Sequence, residues 1–290
     1  MANFDLHLHS YWSYDALANP EEYFAQAQKL NLKAFAITDH HNADSFTEIR
    51  PLAKKYPEAH LILGAEMSAM TPTGVQDIVC LGLPEKPQGN WKRVLDKYHE
   101  LQRCWGKKIS EGFTRRGYHL EPEVMERILR SYRPSHVIDV QGITHIRSTN
   151  IISYLMSQGL KSRNEYVAIA EPIINEFMDS REVIDAVHEA GGIAFWAHPC
   201  LYNTKKDEKW LDMLFEYAPA DGIECGHSEI PLEMTEFYRN YCVAHKLLSS
   251  SGSDTHWNPK GAPAQSEIMA AQYGDDRWLE EILERVTLWS

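Results

Sequence analysis

The chain has 290 residues, 43% of them hydrophobic, and a formal net charge of -12 at pH 7. It is long enough to bury a sizeable core as one large domain or as a domain with an insertion. The acid excess argues against gripping duplex nucleic acid through a broad basic face, while a small phosphorylated substrate stays compatible where bound divalent ions reverse the local field. Five scattered cysteines without a C-x-x-C pair suit reduced thiols in a cytoplasmic protein. No apolar run reaches the length of a membrane helix, and the amino terminus reads as a strand rather than a signal peptide.

In chain order, Phe4 to Asp15 reads FDLHLHSYWSYD. In an extended strand alternate side chains share a face, so His7 and His9 point one way and Leu6 and Leu8 the other. Asn19, Pro20, Glu21 and Glu22 form a helix start, with a cap, a first-turn proline and acids at the positive end of the dipole; the helix runs to about Asn31. LKAFAITDHHN is a buried strand, Ala43 to about Tyr56 a helix, HLILGAEMSA a third strand and GVQDIVCLGLP a fourth. From Asn90 to Phe177 charged amphipathic stretches replace strands: NWKRVLDKYHELQRCWGKKISEGFTRRG, EPEVMERILRSY, STNIISYLMSQG and RNEYVAIAEPIINEF. This predicts a helical insertion over residues 90–177, dividing a domain made of 1–89 and 178–290. Alternation resumes with SREVIDAVHEAGG, IAFWAHP, KKDEKWLDMLFEYA, DGIECGH, PLEMTEFYRNYCVAHK and LLSSSGSDTH, and a helix near Asp275 to Thr287 ends the pattern. Strand and helix in turn predict an α/β fold with parallel strands and crossover helices.

Five of the apolar runs end in metal-binding residue types: His7 and His9, then Asp39 and His40, then Glu66, then His198, then Asp254 and His256. Ligands at the ends of successive strands are the arrangement of a (β/α) barrel's active face. Mixed imidazole and carboxylate suit zinc, manganese or iron. Glu66 has two oxygens with which to bridge ions, and ions roughly 3.5 to 4 Å apart can activate water for phosphoryl transfer.

Taken together, H-x-H with a downstream aspartate, T-D-H-H-N, G-A-E, A-H-P and G-S-D-T-H resemble the polymerase and histidinol phosphatase (PHP) family of metal-dependent phosphoesterases. The resemblance implies a distorted seven-stranded (β/α) barrel with two to three divalent ions. It places His7, His9, Glu66 and Asp254 on one ion, Asp15, His40 and His256 on another, and His198 with Glu66 on a third, with Asp39 orienting a ligand imidazole. The stretch from Gly142 to Ala168 is similar to the branch of nucleoside monophosphate phosphatases and short-oligonucleotide exonucleases, and the substrate expected is a small phosphomonoester, nucleotide-like or a sugar phosphate, or the end of a short oligonucleotide. That branch reads G-R-P-H. Here Gly142 and His145 match, but Ile143 stands where arginine would form a bidentate phosphate fork. His145 is expected to contact phosphate or protonate a leaving group, or else to cap the helix near Ser148. His227, just past the strand DGIEC, is either a substrate contact or a solvated loop residue.

In trinuclear members of the family a histidine about thirteen residues past the bridging glutamate completes the third site; Val79 stands there. Asp77 shares its face but lies roughly 6.5 Å along the strand. The expectation is therefore two firmly held ions and a third that is weak, absent or substrate-dependent. Two other readings are an amidohydrolase-like enzyme acting on a C–N or C–O bond and a metal-binding protein with decayed activity. His60, His99, His119, His136, His188 and His245 lack ligand spacing, Trp91, Tyr98, Trp105 and Tyr118 could stack on a base but at helical spacing read mostly as core, and Lys107, Lys108, Arg115 and Arg116 as a solvated helix face or a phosphate-attracting rim.

Overall fold

The computed structural model describes residues 2–256 and 268–289. Its strands lie side by side in chain order: β1 (Phe4–Asp5), β2 (Ala34–Ile37), β3 (Leu61–Thr71), β4 (Gly74–Leu81), β5 (Ile193–Trp196), β6 (Gly222–His227) and β7 (Leu248–Gly252). Strands β1 to β3 and β5 to β7 pair in parallel, but β4 is antiparallel to both neighbours. This corrects the expectation of parallel strands throughout. Only Pro72 and Thr73 separate β3 from β4, which suffices for a hairpin, whereas a parallel crossover needs about a dozen residues.

The sheet curls until the chain beyond β1 meets β7. The Leu6 amide donates to the Ser251 carbonyl at 3.0 Å, the Asp254 amide donates to the His7 carbonyl at 2.9 Å, and Leu8 bridges Thr255. The result is a nearly closed seven-stranded barrel. Closure depends on Gly252, where a Cβ would lie 2.1 Å from the Cβ of His7. A hydrophobic cluster that includes Phe4, Ala36, Ile62, Val79, Phe195 and Ile223 takes residues from every strand, as a barrel interior does.

Outside the sheet, α1 (Pro20–Leu30) starts at an Asn19–Glu22 capping box and ends on Asn31 in the left-handed region, as its sequence requires. Next come α2 (Phe46–Lys55), α3 (Gly89–Thr114), α4 (Pro122–Arg130), α5 (Ser135–Gln141), α6 (Ser148–Met156) and α7 (Arg163–Ala170), followed by α8 (Ser180–Glu189), α9 (Glu208–Tyr217), α10 (Leu232–His245) and α11 (Asp276–Leu283). The sequence reading has no helix at SHVIDVQ; α5 occupies it, and seven residues are too few to display a helical period. The 26-residue α3 belongs to two cores. Trp91, Val94, Tyr98 and Trp105 pack with the helices and strands of the barrel, while Ile109 and Phe113 join Leu129, Ile151, Leu155 and Ile169 in a separate cluster of α4 to α7. One helix thus fixes the helical segment over the barrel. Among the described residues no helix is long and apolar enough to cross a membrane.

Candidate metal centre

β1 ends at Asp5, and the next residues leave regular strand geometry: Leu6 and Leu8 enter different hydrophobic clusters instead of sharing a face. Hydrogen bonds to the β7 side guide this segment, among them the His9 amide to the Thr255 carbonyl at 3.0 Å. His7 and His9 nevertheless converge, with ring centroids 5.0 Å apart. His40 follows β2, Glu66 lies within β3, His198 follows β5, and Asp254 and His256 follow β7. His198 (φ 27°) and Asp254 (φ 54°) have left-handed backbones, a strain of order 1–3 kcal/mol each that is characteristic of functional sites. It is held by the His198 amide donating to Glu224 at 2.8 Å and the Asp254 amide donating to His7.

Glu66 is the centre of the assembly. Its Oε2 lies 3.1 Å from His7 Nε2, 3.3 Å from His9 Nε2 and 3.1 Å from His40 Nδ1, and its Oε1 lies 3.0 Å from His198 Nε2. Asp254 Oδ1 is 2.9 Å from His9 Nε2 and 3.4 Å from His7 Nε2. Asp15 Oδ2 is 3.3 Å from His256 Nε2 and 3.5 Å from His40 Nε2. Three of the resulting groups have all their ligand atoms within 4.8 Å of one another: His7, His9, Glu66 and Asp254; His9, Asp15, His40 and His256; and Glu66, Asp77 and His198. Yet His7 Nε2, both ring nitrogens of His9, His40 Nδ1, Glu66 Oε2 and Asp254 Oδ1 are buried and make no well-formed hydrogen bond among the described residues. Buried polar atoms are ordinarily satisfied. Orphaned imidazole and carboxylate atoms converging on common points fit divalent cations of the zinc, manganese and iron type.

The electrostatics have the same shape. Burial opposes charge on Glu66, but the His7 and His40 imidazoles outweigh it and hold the carboxyl well below its usual range. Asp15 is likewise held low against burial by His40 and His256, and Asp254 by His7 and His256. Burial pushes the imidazoles down, and the carboxylates reverse it: His7 rises well above normal, His198 to about 9 and His256 to about 10. Protons thus balance the carboxylates where divalent ions would take over, so that metal uptake releases protons.

The sequence model of the PHP domain matches residues 5–187. The chain belongs to the PHP domain family. It is 25% identical over 272 residues to a 3',5'-nucleoside bisphosphate phosphatase of Chromobacterium violaceum, covering 88% of each chain. It is 24% identical over 265 residues to a 5'-3' exoribonuclease of Haemophilus influenzae, covering 88% of this chain and 90% of that one. A solved chain of Bifidobacterium adolescentis, assigned as a metal-dependent phosphoesterase, shares the fold at a TM-score of 0.74 with 23% identity, over 98% of this chain and 96% of that one.

Within this PHP site several residues stand differently from expectation. Asp77 joins Glu66 and His198 despite its distance from Val79 along β4. The reason is register: Val79 pairs with Phe195, so Asp77 lies opposite Ala197, whose amide donates to its carbonyl at 2.9 Å, and His198 comes next. Asp39 does not bond an imidazole. Its carboxylate accepts the Ser10 amide at 2.7 Å and the Ser10 hydroxyl at 2.9 Å, and so fixes the turn after His9. The residue that does bond a ring is Glu224, at 3.0 Å from His7 Nδ1, which the sequence reading missed. A single acid inside the buried strand GIECGH was the available signal, because a buried carboxylate demands a partner.

His227 is buried with Nε2 3.4 Å from Asp254 Oδ2, and is no solvated loop residue. His145 is buried too, its ring 3.9 Å from that of Tyr14, and burial drives its pKa down to about 3. Its loop is held by Arg133, which donates to Thr144 Oγ1 at 2.9 Å and to Gln141, and by Gly106, where a Cβ would meet the Thr144 carbonyl carbon at 2.6 Å. Ile143 faces a separate cavity between α3 and α4 that Arg103, Lys107 and Arg115 also line but no metal-site residue does. An arginine at 143 would therefore point away from the centre in this chain. Lys108 and Arg115 lie near Glu176 and Glu111. Of the set-aside histidines, His99, His136 and His188 pair with Asp44, Glu48 and Asp221.

Proposed function

We propose that this PHP phosphoesterase hydrolyses the phosphate monoester of a small nucleotide-like compound, or the end of a short oligonucleotide, in the cytoplasm. The observation that carries the reading is the convergence of orphaned ligand atoms around Glu66. His7, His9, Glu66 and Asp254 would hold one zinc, manganese or iron ion, and Asp15, His40 and His256 a second. Glu66, Asp77 and His198 would hold a third, with more oxygen than nitrogen in its donor set. Bound ions supply Lewis acidity toward phosphoryl oxygens and lower the pKa of water.

The protein's own groups do the rest. A polar cavity of about 300 Å³ is lined by Asp15, Asp254 and His256 of the centre together with Arg147, Ser148 and Thr149. Arg147 caps α6 and the next two residues form its first turn, so the positive end of a helix borders the cavity, where phosphate oxygens are stabilised. His227 Nε2, buried without a bond, lines the same space and orients the phosphate. His145, kept neutral by burial, hydrogen-bonds the ester oxygen rather than carrying a standing positive charge. The names of the two curated relatives support a nucleotide or RNA-end substrate. Assaying manganese-loaded protein against nucleoside monophosphates, 5'-phosphorylated dinucleotides and amides tests the reading. Phosphate release that disappears on chelation and in Asp254→Ala is expected; cleavage of amides without phosphate release contradicts it.

A further inference from the structure

Beside the polar cavity lies a second one, of about 290 Å³, between the barrel and α3, α6 and α7. Five rings form a circuit round it. Tyr14 lies 3.9 Å from His145, His145 5.5 Å from Trp105, Trp105 5.2 Å from Phe177, Phe177 6.0 Å from His41, and His41 6.3 Å from Tyr14. Tyr166, Val167, Ala170 and Ile174 extend the wall along and just beyond α7. The two cavities share Asp15 and Ser148, so a substrate whose phosphoryl group sits at the metal centre extends directly into the aromatic one. Among the described residues its only formally charged lining residues are Asp15 and Glu171, both acidic; Arg147 lines the polar cavity and not this one.

We infer, resting on the phosphoesterase reading above, that the aromatic cavity receives the alcohol part of the substrate as an uncharged, flat ring system, so that the enzyme prefers a monophosphate to the corresponding bisphosphate. Aromatic side chains favour stacked or edge contacts with a planar ring at centroid spacings like those of the circuit. The volume lies at the small end for ligand sites, enough for one compact ring system. A second phosphate would leave water for a space whose described lining has a carboxylate and no cationic side chain, so that none of these residues repays the desolvation. The hydroxyls of Tyr14 and Ser148 have no hydrogen-bond partner among the described residues and lie at the cavity, where they can read the polar edge of a neutral ring.

The test compares kcat/KM of the manganese-loaded full chain for a nucleoside 3'-monophosphate, the matching 3',5'-bisphosphate and glycerol phosphate, which has no ring. The monophosphate is expected to exceed the bisphosphate at least tenfold, and to exceed glycerol phosphate mainly through KM. Glu171→Lys, at an exposed position past the end of α7, should raise the bisphosphate-to-monophosphate ratio at least fivefold. Tyr166→Ala should raise KM for the nucleoside monophosphate and leave glycerol phosphate unchanged. A bisphosphate cleaved as well as or better than the monophosphate overturns this inference while leaving the phosphoesterase reading intact, as does equal use of glycerol phosphate. Failure to cleave any of the three overturns this inference, and failure with the 5'-phosphorylated dinucleotides as well removes the phosphoesterase reading with it.

Discussion

The barrel side and the helical side of this site are built by different means. On the barrel side the candidate ligands lie within the strands, as Glu66 and Asp77 do, or follow them, as His40, His198 and Asp254 do, and His7, His40 and His198 share Glu66 as a common neighbour. On the helical side, His145, Trp105, Tyr166 and Phe177 come from a loop, two helices and a connecting segment, and are placed by packing. Metal chemistry needs donor atoms held to a few tenths of an ångström, which strands provide. Accommodating an alcohol needs shape and polarity, which packed helices provide and can vary. The difference predicts that barrel variants change metal content and turnover, whereas helical-side variants change KM and stability with metal content kept.

The largest expected effect is at the shared carboxylate. Glu66→Gln should lower kcat by about 10³-fold or more and reduce bound metal, since several kcal/mol of charge stabilisation would depend on the ions proposed to sit on it; circular dichroism should show an unchanged fold. Normal turnover with normal metal content would remove Glu66 from the centre. Glu224→Gln should weaken metal affinity about 10- to 100-fold, the usual cost of losing a carboxylate behind a ligand imidazole, as measured by competition with a chromophoric chelator. Unchanged affinity would reduce the 3.0 Å contact with His7 to a packing detail. Asp77→Asn should release one ion and retain two, which elemental analysis after dialysis reads directly.

A smaller effect separates the two sides most cleanly. His145 has a folded pKa of about 3 against an ordinary 6.5, so between these values the unfolded chain binds the extra proton. Its contribution to stability is therefore present above pH 6.5 and lost as pH falls, at about 1.4 kcal/mol per pH unit. His145→Phe should lack that slope in urea titrations at pH 6 and pH 5 while keeping the metal content of the parent chain. A loss of metal in His145→Phe would break the division between the two sides.

Seven of the eight expected ligands stand where an apolar run ends, at five places in the chain, whereas Asp15 came only from the family resemblance; the structure brings all eight into shared clusters of donor atoms. Strand direction was not legible: hydrophobic periodicity is the same in both directions, and only the two-residue connection between Thr71 and Gly74 reveals the reversal of β4. Asp77 was measured from Val79 on its own strand, when the distance that matters runs across the ladder to His198. The short α5 and the aromatic circuit were beyond the sequence because neither rests on a period; the circuit joins segments as distant as Tyr14 and Phe177.

The central claim is that cations occupy the points on which the orphaned barrel-side atoms converge. Anomalous diffraction at the manganese edge, from crystals grown with manganese, tests it directly. The account predicts peaks bounded by His7, His9, Glu66 and Asp254, by Asp15, His40 and His256, and by Glu66, Asp77 and His198. The absence of any peak at these positions, with catalysis still metal-dependent, would contradict it.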